Sequence, residues 1–339
     1  MLFRSLQEKA FDISLIGFSD AELLSIQNKS NDLQVDDELP QFDGEPTSII
    51  GDVWLLDNHR IACGDATDAD QLNVLMNGSK ADICFTSPPY NVGALNIKSN
   101  IGTHNKYKNT DDQISNNDYL DLLGNALENA LNVCQEVFVN IGMVENNKKT
   151  IFDFVFKYRD RFKDIIFWEK SSCAPHIQPG VINNLVELVL CFGDGKRKFK
   201  NAQFSQGAYW NVIKGNNAAG NEFASIHKAT FPIYLPLNIV SNFSKKNGIV
   251  LDCFAGTGTT IIACEHANRH GYGMDIEPIY VDVCIKRWQS ITGGAAIHEK
   301  SGKTFEEVKH ERQEAVTIDR KSTRLNSSHS QQSRMPSSA

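Results

Sequence analysis

Two short stretches of the chain combine residue types that do chemistry. The first is Val250-Leu251-Asp252-Cys253-Phe254-Ala255-Gly256-Thr257-Gly258-Thr259-Thr260, an apolar strand running into a glycine-rich turn and then a helix. Glycine permits a tight turn and close approach of backbone to a ligand. The free N–H groups of a helix start favour an electron-rich group there. Asp275 follows at the end of the next strand, where an acid suits the hydroxyls of a ribose. A nicotinamide fingerprint asks for glycine where this chain has Ile261. At this point a nucleotide-like ligand and a merely structural turn both stay open.

The second stretch is Phe85-Thr86-Ser87-Pro88-Pro89-Tyr90-Asn91, again directly after an apolar run, Asp82-Ile83-Cys84-Phe85. Two prolines remove two backbone donors and leave carbonyls free to accept. Tyr90 adds an aromatic face beside those acceptors. An acceptor rim with a stacking ring suits an amino group on a planar base. Taken alone, the same residues also describe a proline-rich turn with a packed tyrosine.

The elements that must position these residues are legible as alternating strands and helices. Val137–Ile141, Ile165–Trp168, Val186–Phe192, Ile249–Asp252 and Gly271–Asp275 read as strands. Tyr119, Leu122, Leu123, Ala126, Leu127, Ala130 and Leu131 follow helical spacing. Ile151–Tyr158, the segment after Gly258, and Ile279–Ile291 read as further helices. The expected fold is α/β, a doubly wound, mostly parallel sheet covered on both faces.

Length and composition set the frame. A chain of 339 residues, 41% hydrophobic and 22% charged, has material for a sizeable core and a prior of about two domains. Residues 1–26 read as a short helical piece, 27–48 as an acidic linker, and 49–298 as the patterned body. Residues 299–339 read as a disordered tail whose last stretch resembles a translated sequencing adapter. The eight cysteines form no C-x-x-C pair, and Met1–Lys9 has no apolar h-region. A reduced, cytoplasmic protein without metal site, disulfide framework or membrane span is expected. The net charge of −7 conceals a basic cluster of Lys196, Arg197, Lys198 and Lys200, so it does not exclude a polyanionic partner.

In this order, the two stretches resemble the DNA amino-methyltransferases of the permuted (beta) class, in which a PPY motif precedes the S-adenosylmethionine loop. Thr86-Ser87-Pro88-Pro89-Tyr90 matches the catalytic motif, and Asp252 to Thr259 matches D-P-F-x-G-x-G-T with Cys253 in place of proline. Gly273 to Tyr280 matches the segment carrying the ribose acid. His227-Lys228-Ala229-Thr230-Phe231-Pro232 resembles an H-P-x-x-x-P element, with Lys228 in place of its first proline, and Gly64-Asp65 resembles a short G-D element. The resemblance covers about residues 49–292; residues 3–26 resemble the end of a ParB-like module, as if a longer module were cut short.

The resemblance implies a Rossmann-like, S-adenosylmethionine-dependent fold with an inserted target-recognition segment, for which 171–226 is the candidate. It implies Ser87, Pro88, Pro89 and Tyr90 as catalytic residues. It implies Asp65, Asp252, Phe254, Ala255, Gly256, Thr257, Gly258, Thr259 and Asp275 as cofactor residues. The partner is then double-stranded DNA, with a flipped base and, as a further expectation, a homodimer. Lys196, Arg197, Lys198 and Lys200 would contact phosphates. Ser87, where adenine-specific relatives more often show Asp, and Ala229 to Pro232 lean toward cytosine N4 over adenine N6. The alternatives are an RNA or protein-glutamine methyltransferase, a nicotinamide oxidoreductase, or a DNA-binding protein with a dead catalytic domain.

Overall fold

A computed structural model describes residues 45–92, 114–171, 179–215 and 231–315. The expected ParB-like remnant, most of the acidic linker and the element His227 to Thr230 lie outside those residues. In chain order the strands are β1 (Val53–Leu56), β2 (His59–Cys63), β3 (Ile83–Thr86), β4 (Val137–Ile141), β5 (Phe162–Lys170), β6 (Val186–Phe192), β7 (Val212–Gly215), β8 (Ile249–Asp252), β9 (His270–Asp275) and β10 (Ile297–His298). The helices are α1 (Ala69–Met76), α2 (Asn116–Val133), α3 (Lys148–Lys157), α4 (Tyr234–Phe243), α5 (Thr259–Ala267) and α6 (Pro278–Thr292), followed by α7 over 305–315.

One sheet holds all ten strands in the order β10-β1-β2-β9-β8-β3-β4-β6-β5-β7. Its middle, β2-β9-β8-β3-β4, is parallel, as the alternating pattern implies. Both flanks are not: β1 runs antiparallel to β2 and β10, and β6 runs antiparallel to β4 and β5. The strand-only reading of Val186–Phe192 identified β6 but not its direction, and that direction decides what its two ends face.

Alternation along each strand sends side chains to two separate cores. Ile83 and Phe85 of β3, with Phe138 and Val250, face α4, α5 and α6, whose Val240, Ile262 and Ile285 are buried there. Cys84, Val137, Val139 and Leu251 face α1, α2 and α3, whose Leu72, Leu127 and Phe154 fill the other side. α2 starts where Ser115 accepts from the Asp118 N–H and buries Tyr119, Leu123, Leu127 and Ala130 on one stripe. α6 begins with Pro278 and ends at Gly293 with φ +73°, a proline-start, glycine-stop helix.

The expected disordered tail is corrected over its first part. α7 buries Phe305 and Val308 against Trp54, and Arg312 reaches Asp52 at 2.6 Å. Burial pushes the Asp52 carboxyl up, but Arg312, the Ile49 N–H and His298 together hold the group below its usual range. The two apolar residues that seat α7 stand a single helical turn apart among charged neighbours, too short a pattern to reveal it. The linker boundary also moves: Thr47 and Ser48 are buried, with their N–H groups donated to Asp282. Residues 316–339 lie outside the described residues. Among the described residues, no helix is long and apolar enough to cross a membrane and no cluster of metal-ligating side chains occurs.

Candidate functional site

Parallel neighbours end on the same edge of a sheet, and ligands of open α/β sheets sit at the carboxyl ends of the strands. β3 and β8 are such neighbours, with Ile83 paired to Val250 and Cys84 to Leu251. The serine-proline-proline-tyrosine turn and the glycine turn therefore leave the sheet side by side. One hydroxyl joins them: Thr86 Oγ1 donates to Asp252 Oδ1 at 2.8 Å and accepts from the Phe254 N–H at 3.1 Å. Thr260 Oγ1 donates to the other Asp252 oxygen at 2.6 Å, tying the start of α5 to the same carboxylate. Asp252 is buried, and burial raises its carboxyl to about 6 despite these donors.

The glycine turn has the shape a ligand needs. Gly256 has φ +50° with nothing within 4 Å of a hypothetical Cβ, so space lies open over the loop. At Gly258, φ is +81° and a Cβ would lie 2.3 Å from Cys284 Sγ, so only glycine lets α5 approach α6 this closely. The Gly256 N–H donates to Asp275 Oδ2 at 2.8 Å, and the Glu277 N–H to Oδ1 at 2.9 Å. Each carboxylate oxygen accepts one bond there and keeps room for a second. Asp275 is half-buried; burial pushes its carboxyl to about 7 against those two backbone donors. β2 lies beside β9, with Cys63 paired to Asp275, which brings Asp65 to the same rim. The Asp65 carboxylate also closes its own turn by accepting from Thr67 N and Oγ1. Phe254 is half-buried next to the loop, while Ala255, Thr257 and Thr259 are buried beneath it. Cys253, the departure from proline, is a buried core residue.

On the other side, Ser87 and Tyr90 are half-buried, Pro88 is buried and Pro89 is exposed. The Pro89 carbonyl is occupied by Tyr119 Oη at 2.7 Å, and the Tyr90 carbonyl accepts from Asn147 Nδ2 at 2.7 Å. These long-range bonds fix the turn from α2 and from the loop after β4. The Pro88 carbonyl accepts no hydrogen bond among the described residues.

Four further residues complete the rim. Tyr90 Oη donates to Glu187 Oε2 at 2.9 Å, and Asn140 Nδ2 reaches both Tyr90 Oη (2.9 Å) and Glu187 Oε2 (3.1 Å). Lys170 Nζ donates to Glu187 Oε1 at 2.8 Å. Asn140 is fully buried, and its Oδ1 accepts nothing among the described residues. Burial, with Glu187 adjoining, pushes the Tyr90 phenol well above its usual range. Asn140, Asn147, Lys170 and Glu187 went unseen in sequence because they sit on β4, the loop after it, β5 and β6, which only the fold brings together. The antiparallel β4–β6 pairing, Ile141 opposite Leu188, delivers Glu187 to the rim.

The same pairing removes the basic cluster from the site. Val137, at the start of β4, lies opposite Phe192, so Lys196, Arg197, Lys198 and Lys200 follow β6 onto the far edge of the sheet. There Arg197 pairs with Asp164 at 3.3 Å, the Lys200 N–H donates to Glu136, and the Lys198 carbonyl accepts from Lys163. The cluster therefore lies at the amino edge of the sheet, away from the rim that carries Tyr90 and the glycine turn. Within the candidate recognition segment, 186–192 and 212–215 are sheet strands; 172–178 and 216–226 lie outside the described residues.

The chain is similar to known proteins of one kind. A family model described as DNA methylase, of the N6/N4 methyltransferase type, matches residues 81–286. The type II methyltransferase M.HpaI of Haemophilus parainfluenzae is 25% identical over 261 residues, covering 70% of this chain and 76% of that protein. M.MjaI of Methanocaldococcus jannaschii is 26% identical over 274 residues, 65% of this chain and 88% of that one. Among solved structures, the cytosine-N4-specific PvuII DNA methyltransferase superposes with a TM-score of 0.52 at 16% identity, covering 75% of this chain and 94% of that one. That likeness is one of fold.

Proposed function

Because this chain belongs to the DNA methylase family of the N6/N4 type, we propose that its shared rim moves a methyl group from S-adenosylmethionine to the exocyclic amino group of a base flipped out of double-stranded DNA. The residues present suit that donor. Asp275, with a spare acceptor position on each oxygen, takes the ribose hydroxyls; the open space over Gly256 and the start of α5 takes the methionine part. Phe254, half-buried next to the loop, would meet the sulfonium, and Asp65 on the same rim would meet the adenine. When bound, the donor supplies an electrophilic methyl group on sulfur.

The amine of a nucleobase is a poor nucleophile because its lone pair is delocalised into the ring. Ser87 Oγ and the Pro88 carbonyl accept its two N–H groups, which draws the nitrogen toward a tetrahedral geometry and localises its lone pair toward the donor. Tyr90 stacks on the extruded base, a contact worth about 1–3 kcal/mol. Most of the rate comes from alignment and electrostatics at a site built before the substrate arrives. The reading is carried by one observation, the Thr86–Asp252 contact that seats the donor loop and the acceptor turn against each other.

Transfer of a labelled methyl group from S-adenosylmethionine to unmethylated duplex DNA tests it, with Tyr90→Ala as control. Labelled duplex from the wild type and a loss of at least about tenfold in the variant are expected. Label appearing only in RNA or in protein would replace this reading. Ser87 in place of an acid favours cytosine N4 as the target. Digestion to nucleosides and mass identification decides it: N4-methylcytosine is expected, and N6-methyladenine alone would reverse the choice.

A further inference from the structure

Building on that reading, we propose that Glu187, backed by Lys170, is a positioning residue: acting through Tyr90, it fixes Ser87 as a hydrogen-bond acceptor toward the base and receives the proton the amine gives up. The argument is an accounting of protons. A phenol has one proton, and a carboxylate accepts only. Tyr90 commits its proton to Glu187 Oε2 at 2.9 Å. Its oxygen already accepts from Asn140 Nδ2 at 2.9 Å. Ser87 Oγ, 3.4 Å from that oxygen, then has one role open in this contact, that of donor. A serine whose proton points at Tyr90 presents its lone pairs elsewhere, and an amine N–H meets an acceptor. Without the line, a serine hydroxyl turns freely and presents its proton to the base as readily.

Lys170 gives the line its direction. Its ammonium occupies Glu187 Oε1, which leaves Oε2 for the tyrosine. Both side chains are mostly covered, 18% and 15% exposed, so the pair is shielded from competing water. The raised Tyr90 phenol stays protonated at neutral pH and can pass a proton without resting as tyrosinate.

The step balances without an oxidant or reductant. As the nitrogen lone pair forms the bond to carbon, the carbon–sulfur pair stays on sulfur and the nitrogen becomes cationic. One N–H proton moves to Ser87 Oγ, its bonding pair returning to nitrogen. The serine proton moves to Tyr90 Oη, and the tyrosine proton to Glu187 Oε2. Both hydroxyls end neutral and Glu187 ends as a carboxylic acid, which water then deprotonates.

Two shape-conserving variants test this, Tyr90→Phe and Glu187→Gln, with Glu187→Asp as rescue. Each of the first two should lower the single-turnover rate on duplex DNA on the order of 10²-fold, with affinity for S-adenosylmethionine unchanged by calorimetry. The double variant should be no slower than the slower single, because the residues act as one unit. Glu187→Asp should recover part of the rate. A second readout needs no turnover: the Tyr90 phenol, titrated by near-ultraviolet absorbance as wild type minus Tyr90→Phe, should ionise at lower pH when Glu187 is Gln. A Tyr90→Phe rate within about twofold of wild type, or additive losses, would overturn the line. So would an unmoved tyrosine titration, whatever the activity. A wild type that labels no DNA overturns the methyltransferase reading instead, and the titration still judges the hydrogen-bonded line.

Discussion

Two polar clusters stand at opposite ends of β4. At the amino end, Lys163 Nζ lies 3.3 Å from Glu136 and 2.7 Å from Asp194, and also donates to the Lys198 carbonyl. At the carboxyl end, Lys170, Glu187, Tyr90 and Asn140 form a line of comparable distances. The amino cluster turns inward: its lysine is spent on Asp194, the Lys198 carbonyl and the Glu136 ion pair, and the side chains of Lys163 and Glu136 are fully covered. The carboxyl cluster runs outward and ends on half-buried Ser87 beside the open glycine turn. Equal chemistry thus serves cohesion at one edge and leaves acceptors on offer at the other. Strand direction decides which.

The largest expected effect sets the two edges against each other most sharply. Glu136→Ala removes one of the two carboxylates beside the buried Lys163 and the acceptor of the Lys200 N–H, and should cost about 1–3 kcal/mol in urea unfolding, while the folded fraction still binds S-adenosylmethionine normally. Lost binding per folded molecule would mean that the amino edge also shapes the donor site. A second effect follows from Asp252, whose carboxyl is raised to about 6 when folded. The unfolded chain releases this proton more readily, so the stabilisation is full below the ordinary carboxylate range and disappears as pH climbs through 6. Melting temperature should fall over that interval, and Asp252→Asn, less stable overall, should lose this component of the slope. An identical slope in the variant would assign it to Asp275 or another group. The smallest effect is expected from replacing Lys196, Arg197, Lys198 and Lys200 with Gln. Placed on the far edge, they should leave the salt dependence of DNA affinity unchanged. A slope reduced by about one per lost phosphate contact would return them to the interface.

What was legible in the sequence is what is local. Asp252 to Thr260 spells strand, turn and helix within a single run, so its shape can be read before any tertiary contact is known. The same holds for Thr86 to Tyr90. That the two meet required only that β3 and β8 be neighbours in a parallel sheet. Glu187 and Lys170 were not legible, because nothing near either residue points to Tyr90, and their meeting depends on an antiparallel register. The place of the basic cluster was not legible for the same reason: four cations in a row announce charge, not the edge on which it sits. α7 was hidden because Phe305 and Val308 stand among charged neighbours, and their partner Trp54 lies at the other end of the described chain.

The hydroxyl of Thr86 has a consequence for how variants of this molecule are to be interpreted. In the proposed reading the donor loop and the acceptor turn are joined through this one side chain, which stands as a wall common to both pockets. A replacement on the methionine side that shifts Asp252 tilts the serine turn with it, so a slower reaction in such a variant is not evidence of weaker donor capture. Trapping the bound donor before mixing with substrate separates the two. Where the wall is shared, neither pocket can be redesigned alone.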